Sequence, residues 1–311
     1  MDELVTLFGG GGFLGRYVAQ ELLARGARVR VAERDPSDAW FLKPLGGLGQ
    51  TQFVAADVTK PESAARAAMG STAVVNLVGV LKGAFDRLHV EGARNAAAAA
   101  ARTNAGAFVQ ISAIGADPAS PSAYGRSKGE GEHAVRAAFP SATILRPSIL
   151  FGAEDGFVNR FAGMIARLPV VPVIRGGARF QPAWVADVAR AVADAALNPG
   201  RHGDRTYELG GPQILSMAEL NRWIADAIGR RPLFVDLPDG AAAAMARLGG
   251  WLPGAPITWD QWLMLGRDNV ASPATPGFQA FGVAPKPLAA VAPAWLVRYR
   301  RHGRFSLSAA A

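Results

Sequence analysis

The stretch Leu4–Arg16, LVTLFGGGGFLGR, decides the fold. Leu4–Phe8 reads as a strand and Phe13–Arg25 as a helix, with four glycines between them. Gly9, Gly12 and Gly15 recur at spacing three and three. At such a turn the first glycine permits the sharp bend. The second lets the backbone approach a pyrophosphate, and the third lets the helix pack on the strand. The helix N-terminus then offers free N–H groups and its positive dipole end to an anion. The stretch therefore predicts a dinucleotide site in which Gly9, Gly12, Phe13, Leu14 and Gly15 surround the phosphates.

Outward from this turn, strands and helices alternate. Strands are expected at Arg28–Ala32, Thr51–Ala55, Thr72–Val78, Ala107–Ser112 and Thr143–Arg146. Helices are expected at Arg87–Arg102 and Ser122–Phe139. The uninterrupted apolar run around Val74 suits a strand covered on both faces. This order predicts an α/β fold, a Rossmann-type doubly wound parallel sheet with right-handed crossovers. The alanine run Ala96–Ala100 reads as a helix packed closely on that sheet. Beyond Arg146, Pro169, Pro172, Gly176, Gly177 and Pro182 loosen the pattern, with helical patches at Val185–Leu197, Met217–Ile228 and Gly240–Leu248. The expected division is a nucleotide-binding domain over 1–150 and a smaller mixed C-terminal lobe over 151–311, intertwined with the first.

The second strand, VRVAERDP, should carry the residue that reads the adenosine ribose. Glu33 suits a 2′-hydroxyl and hence NAD; Arg34 suits a 2′-phosphate and hence NADP. The two point in opposite directions, and the Arg34-Asp35-Pro36 turn tips the expectation to NADP(H) over NAD(H). Asp57, with Val58 in ADVTKPE, reads either as an adenine contact or as a turn carboxylate.

In SAYGRSKGEGEHAV, Tyr124 and Lys128 stand four apart and share one helix face. An ammonium beside a phenol stabilises the phenolate, so the pair suits acid–base work on a carbonyl or alcohol. Ser112 closes the preceding strand, where its hydroxyl would hold the substrate oxygen. Lys128 equally suits a nicotinamide ribose without any turnover.

Composition narrows the alternatives. The 311 residues are 50% hydrophobic and 19% charged, which is globular and not disordered. The absence of cysteine excludes disulfides, cysteine metal sites and a thiol nucleophile. The net charge of +8 suits an anionic cofactor, lipid or acidic partner. No nucleic-acid motif accompanies it, and the four scattered histidines show no metal-ligand spacing. MDELVTLFGGGG lacks the marks of a signal peptide, and Ala241–Leu265 is too broken by Arg247, Pro253, Pro256 and Asp260 to span a bilayer. A cytoplasmic chain is expected, with a peripheral place on the inner face of the cytoplasmic membrane as the alternative.

GGGGFLG, Asp57, VVNLVG, the Ser112 strand and YGRSK together resemble the short-chain dehydrogenase/reductase superfamily, in its extended and atypical branches. NLVGVLKGAFDRLHVEGARN, ISAIGAD, RPSILFGAEDGFVNRFA and QPAWVADVARAV more narrowly resemble the subunit-9 family of the complex I alpha subcomplex. The resemblance implies a tightly bound NADPH and an accessory role beside respiratory complex I at the membrane. It also leaves open an active NAD(P)-dependent oxidoreductase or epimerase/dehydratase. Residue by residue, it places Gly9, Gly12, Gly15 and Arg34 on the diphosphate and 2′-phosphate, and Asn76 and Gly79 along the adenosine. Ser112, Tyr124 and Lys128 fall at the catalytic serine, tyrosine and lysine, and Pro147-Ser148 borders the nicotinamide. The chain departs from the pattern at His89 in HVEG, where active relatives carry asparagine; His89 reads as a relay or as a structural histidine.

Late in the chain, Trp251, Trp259, Trp262 and Trp295 gather with apolar neighbours, as C-terminal core or as a partner or membrane surface. The basic run Arg298–Arg304 is either solvated or in contact with acidic lipid or protein. Arg175, Arg179 and Gln181 are candidate substrate contacts.

Overall fold

A computed structural model describes residues 3–250, 252, 255 and 257–303. Trp251, Pro253, Pro256 and Arg304 lie outside the described residues.

Strands β1 (Leu4–Phe8), β2 (Arg28–Glu33), β3 (Thr51–Ala55), β4 (Ala73–Asn76), β5 (Ala107–Ile111) and β6 (Thr143–Pro147) open the chain. Helices α1 (Phe13–Ala24), α2 (Pro61–Ala68), α3 (Ala93–Arg102) and α4 (Ala123–Ala138) connect them. There follow β7 (Leu150–Phe151), α5 (Val158–Arg167), β8 (Val170–Ile174), β9 (Arg179–Phe180) and β10 (Ala183–Trp184). Then come α6 (Val185–Leu197), α7 (Pro199–His202), β11 (Thr206–Leu209), β12 (Leu215–Ser216), α8 (Met217–Ala227), β13 (Leu233–Leu237), α9 (Asp239–Gly249) and α10 (Trp259–Met264).

One sheet of 7 strands runs β11-β6-β5-β4-β1-β2-β3, with every neighbouring pair parallel. The register sets Val5 between Val29 and Ala73. Strand order reverses between β1 and β4, and that switch point opens a crevice beyond the strands' carboxyl ends. β4 and β5 are buried along their whole length, as expected for strands covered on both faces. The alanines explain how closely the helices lie. Ala93, Ala96, Ala97, Ala99 and Ala100 of α3 pack with Ala64, Ala65, Ala67 and Ala68 of α2 in one buried cluster, where a larger side chain would hold the helices apart.

Two differences from the sequence expectation bear on the sheet and the site. The stretch expected as one helix over Arg87–Arg102 begins as a π-helical turn, Asp86–Gly92, before α3. The seventh strand, β11, was not anticipated. TYEL is too short to show a period, and its place is set by pairing with β6, Thr206 against Ile144 through Leu209 against Pro147.

By internal contacts the chain divides into two units. The first comprises Met1–Pro147, Val185–Leu209 and Ala271–Ala284; it holds the sheet, and in it α6 packs against α1. The second comprises Ser148–Trp184, Gly210–Val270 and Pro285–Ala311. Its core joins Val158, Ala162 and Ile165 of α5 to Leu220 and Ile224 of α8, with Val171 of β8. Its strands form three two-stranded pairs: β7 with β10, β9 with β12, and β8 with β13.

Candidate functional site

The glycine turn follows β1 at the switch point. Gly9 has φ +80, and a Cβ there would lie 3.2 Å from the Val78 nitrogen in the loop after β4. Both the conformation and the close approach require glycine. At Gly15 a Cβ would lie 2.5 Å from the carbonyl oxygens of Gly9 and Gly10, so the first turn of α1 could not close with any other residue. Gly12 is the N-cap of α1 and supplies no side-chain cap bond. The free N–H groups at this helix end thus face a cradle bounded by glycine backbone, which fits a dinucleotide pyrophosphate. Phe13 and Leu14 begin the helix, half-buried, and Val58 is buried in the core cluster beside Phe8 and Val74.

Glu33, at the end of β2, turns to the same cradle: the Gly11 N–H donates to its Oε1 at 2.6 Å. Burial raises the Glu33 pKa, and the Gly11 bond only partly offsets this. Arg34 is exposed beside it. Asp57 accepts from the Thr59 N–H at 3.0 Å and from its hydroxyl at 2.8 Å, so one carboxylate oxygen holds a local turn. Asn76, fully buried, donates to Gln110 at 2.9 Å and accepts from the Val78 N–H at 3.2 Å; it shapes the strand end rather than presenting a free amide.

A second group of side chains gathers on α4. Ser122 caps this helix, accepting from the Gly125 N–H at 3.2 Å. Tyr124 and Lys128 lie on one face, with the Lys128 ammonium 5.9 Å from the centre of the tyrosine ring. Lys128 donates to the Ile111 carbonyl at 3.1 Å, and burial, opposed by Glu132, lowers its pKa to about 8. Gly79 borders the same space: a Cβ there would meet the Lys128 Nζ at 3.3 Å and the His89 Nε2 at 3.7 Å.

His89 reaches this corner because the π-helical turn presses on α4. A Cβ on Gly131 would overlap the His89 carbonyl, so that glycine makes the approach possible. The Val80 N–H donates to His89 Nε2 at 3.0 Å, which makes Nε2 an acceptor and puts the ring proton on Nδ1. Nδ1 meets the Ser127 hydroxyl at 2.9 Å, and that hydroxyl donates to the Tyr124 carbonyl at 2.9 Å. Burial, then the nearby Lys128 charge, lowers the His89 pKa to about 3. The ring stays neutral and fixed, stacked at 5.6 Å on Phe85 and edge-on at 5.5 Å to Tyr124. This is the arrangement of a structural histidine.

Ser112 is engaged elsewhere. Its hydroxyl donates to Glu132, which stands two turns beyond Tyr124 on the same face of α4. Arg146 clasps Glu132 through two bonds, of 2.8 and 2.6 Å, and lies 3.5 Å from Glu208. Glu208 in turn accepts from the Ser272 N–H at 2.7 Å. Sequence reasoning missed this network, although the spacing Tyr124, Lys128, Glu132 marks one helical stripe. Pro147 ends β6, paired with Leu209.

In the second unit, the candidate substrate contacts are tied to neighbours. Arg175 bonds Asp239 at 2.8 Å and stacks 3.9 Å over Trp262. Arg179 pairs with Asp268 at 2.7 Å, and Gln181 donates to the Gly211 carbonyl at 2.7 Å. Trp259 and Trp262 stack at 4.8 Å. From the basic run, Arg298 donates to Asn159 at 2.7 Å and Arg300 to the Ala227 carbonyl at 3.2 Å. Among the described residues, no helix is long and apolar enough to cross a membrane.

The sequence profile of the NAD dependent epimerase/dehydratase family matches residues 5–210, which spans the glycine turn, the α4 corner and all seven strands of the sheet. The chain belongs to this family. Among its relatives, the complex I alpha subcomplex subunit 9 of Arabidopsis thaliana mitochondria is 33% identical, over 96% of this chain and 79% of the relative. The ceramide reductase of Caulobacter vibrioides is 32% identical over 80% of this chain and 78% of that enzyme. The crystal structure of the NADPH-dependent quinone oxidoreductase QOR2 of Escherichia coli has the same fold. Its TM-score is 0.77 and its identity 21%, over 94% of this chain and 99% of that one. This epimerase/dehydratase-family chain thus has an NAD(P)-binding fold with complex I subunits among its relatives.

Proposed function

We propose that the chain holds NADP(H) as an accessory or stabilising protein of respiratory complex I, peripheral on the inner face of the cytoplasmic membrane. Gly9, Gly12, Phe13, Leu14 and Gly15 hold the diphosphate, and Arg34 pairs with the 2′-phosphate while Glu33 is drawn to Gly11. Asp57, Val58, Asn76 and Gly79 border the adenosine side. Lys128 and Tyr124 face the nicotinamide ribose, with Pro147 beside the ring. The observation that carries the accessory reading is the capture of Ser112 by Glu132, itself clasped by Arg146. A serine whose proton is committed to a clasped carboxylate is a poor ligand for a substrate carbonyl. The likeness to subunit 9 across most of the chain supports the partner. Affinity purification from native membranes should recover complex I subunits with the chain; a chain that emerges without them contradicts this reading.

A second reading, an active NAD(P)-dependent oxidoreductase or epimerase/dehydratase, is favoured by the Tyr124–Lys128 pair and by the ceramide reductase relative. The bound nicotinamide would supply hydride chemistry. Tyr124 would exchange a proton with the substrate oxygen, and Lys128 would stabilise the phenolate. Its test is substrate-dependent NADPH oxidation over a carbonyl panel that includes long-chain ketones. Turnover abolished by Tyr124→Phe supports it; no turnover with NADPH still bound removes it.

A further inference from the structure

The second unit carries an exposed surface to which the site chemistry gives no role. β8 and β13 pair in parallel, with Val170 opposite Leu233 and Pro172 opposite Val235. Side chains alternate along a strand, so these four project from one face of the ribbon. All four are exposed, Leu233 at 64% and Val170 at 48%. The opposite side of β8 carries Val171 and Val173, both buried. Leu168 and Pro169, just before β8, are exposed as well, and the Leu233 N–H bonds the Pro169 carbonyl at 2.9 Å. A soluble surface seldom leaves a contiguous apolar patch of this kind uncovered.

The rim of the patch is cationic. Arg167 and Arg231 stand exposed immediately before the two apolar segments, as Arg167-Leu168-Pro169-Val170 and Arg231-Pro232-Leu233. Among the described residues neither guanidinium has a hydrogen bond or ion pair. Asp236, the acidic residue of the ribbon, lies on the other face by the same alternation, near Gly176. The charge of the whole chain follows this division: the second unit has 14 Lys and Arg against 8 Asp and Glu, which is +6 of the total +8. That unit also exposes Leu248, Leu252 and Trp259.

We infer that the outer face of the β8–β13 ribbon docks on an anionic lipid surface, with Val170, Pro172, Leu233 and Val235 entering the interface and Arg167 and Arg231 on the headgroups. Apolar side chains ringed by cations suit the boundary between acyl chains and anionic headgroups. Unpaired guanidinium groups gain there what an uncharged partner surface would not give. The inference rests on the peripheral membrane placement proposed above and deepens it, while its test needs only the chain and lipid and so can fail separately from the complex I and turnover readings.

The test is flotation of the full chain with phosphatidylcholine vesicles and with mixed phosphatidylcholine–phosphatidylglycerol vesicles at low and high salt. Binding to the anionic vesicles, weakened by salt, is expected. Arg167→Ala and Arg231→Ala should each lower it about fivefold, and Leu233→Glu about tenfold or more. An unchanged melting curve and NADPH affinity would show that Leu233→Glu is folded; Val235→Ser serves if it is not. No binding at low salt, or binding that ignores Leu233→Glu and Val235→Ser alike, overturns the inference. So does a self-association that Leu233→Glu abolishes in a chain that never floats, since a second copy would then be the occupant.

Discussion

The glycine turn and the α4 corner are built in different ways. The turn is mainly local: Gly9, Gly12 and Gly15 lie within one strand–helix junction whose backbone lines the cradle, with Val78 and Glu33 at its border. The corner is assembled from distant segments. Val80 and His89 come from the chain after β4, Tyr124, Ser127 and Lys128 from α4, and Ile111 from the end of β5. A local site is fixed by spacing, whereas an assembled one depends on which partner each polar group finds.

That contrast predicts where substitutions act. The largest effect is expected from Glu132→Ala, which leaves Arg146 facing Glu208 alone and frees the Ser112 hydroxyl. Loss of about 3 kcal/mol is expected from removing one member of such a buried pair, read as a lower midpoint in urea unfolding. A wild-type midpoint would show that the corner is as local as the turn. Gly15→Ala should act on the turn itself, costing about 1–3 kcal/mol through its clash with two carbonyls and abolishing NADPH binding. Retained binding would mean the cradle is looser than its contacts indicate. Arg34→Ala is a smaller change at the rim. Titration should show NADPH affinity falling about tenfold for one lost charge-assisted contact, with NADH unaffected.

Two pH effects sharpen the same comparison. Lys128 titrates at about 8 in the folded chain against 10.5 ordinarily. Between these values the unfolded chain keeps a proton that the folded chain has released, so stability rises with pH through this window. Lys128→Met should flatten that rise in pH-dependent melting. His89 titrates at about 3 against 6.5, so its contribution is present above 6.5 and is lost as pH falls from 6.5 toward 3. Nitrogen NMR should show the Nδ1–H tautomer throughout pH 5 to 8; a titration within that range would contradict the bond from Val80.

The sequence made the turn legible because glycine spacing and strand–helix context are local signals. Six of the seven sheet strands could be read in the same way, and Tyr124 with Lys128 shared a helix face by count alone. The partners of the corner could not be read. Nothing in ISAIGAD tells that Ser112 meets Glu132, because β5 and α4 come together only when the sheet forms. The tautomer of His89 depends on an N–H nine residues away, presented by a loop without periodic pattern. β11 was hidden for the same reason, its register being supplied by β6.

The cofactor proposed for this fold is a phosphorylated nicotinamide dinucleotide. The most direct measurement is to purify the chain gently from its source, denature it and identify the nucleotide released. NADPH or NADP⁺ in near-stoichiometric amount is the result expected. Release of NAD(H) alone would contradict the assignment of Arg34, and a chain that carries no nucleotide and binds neither form on titration would contradict the site itself.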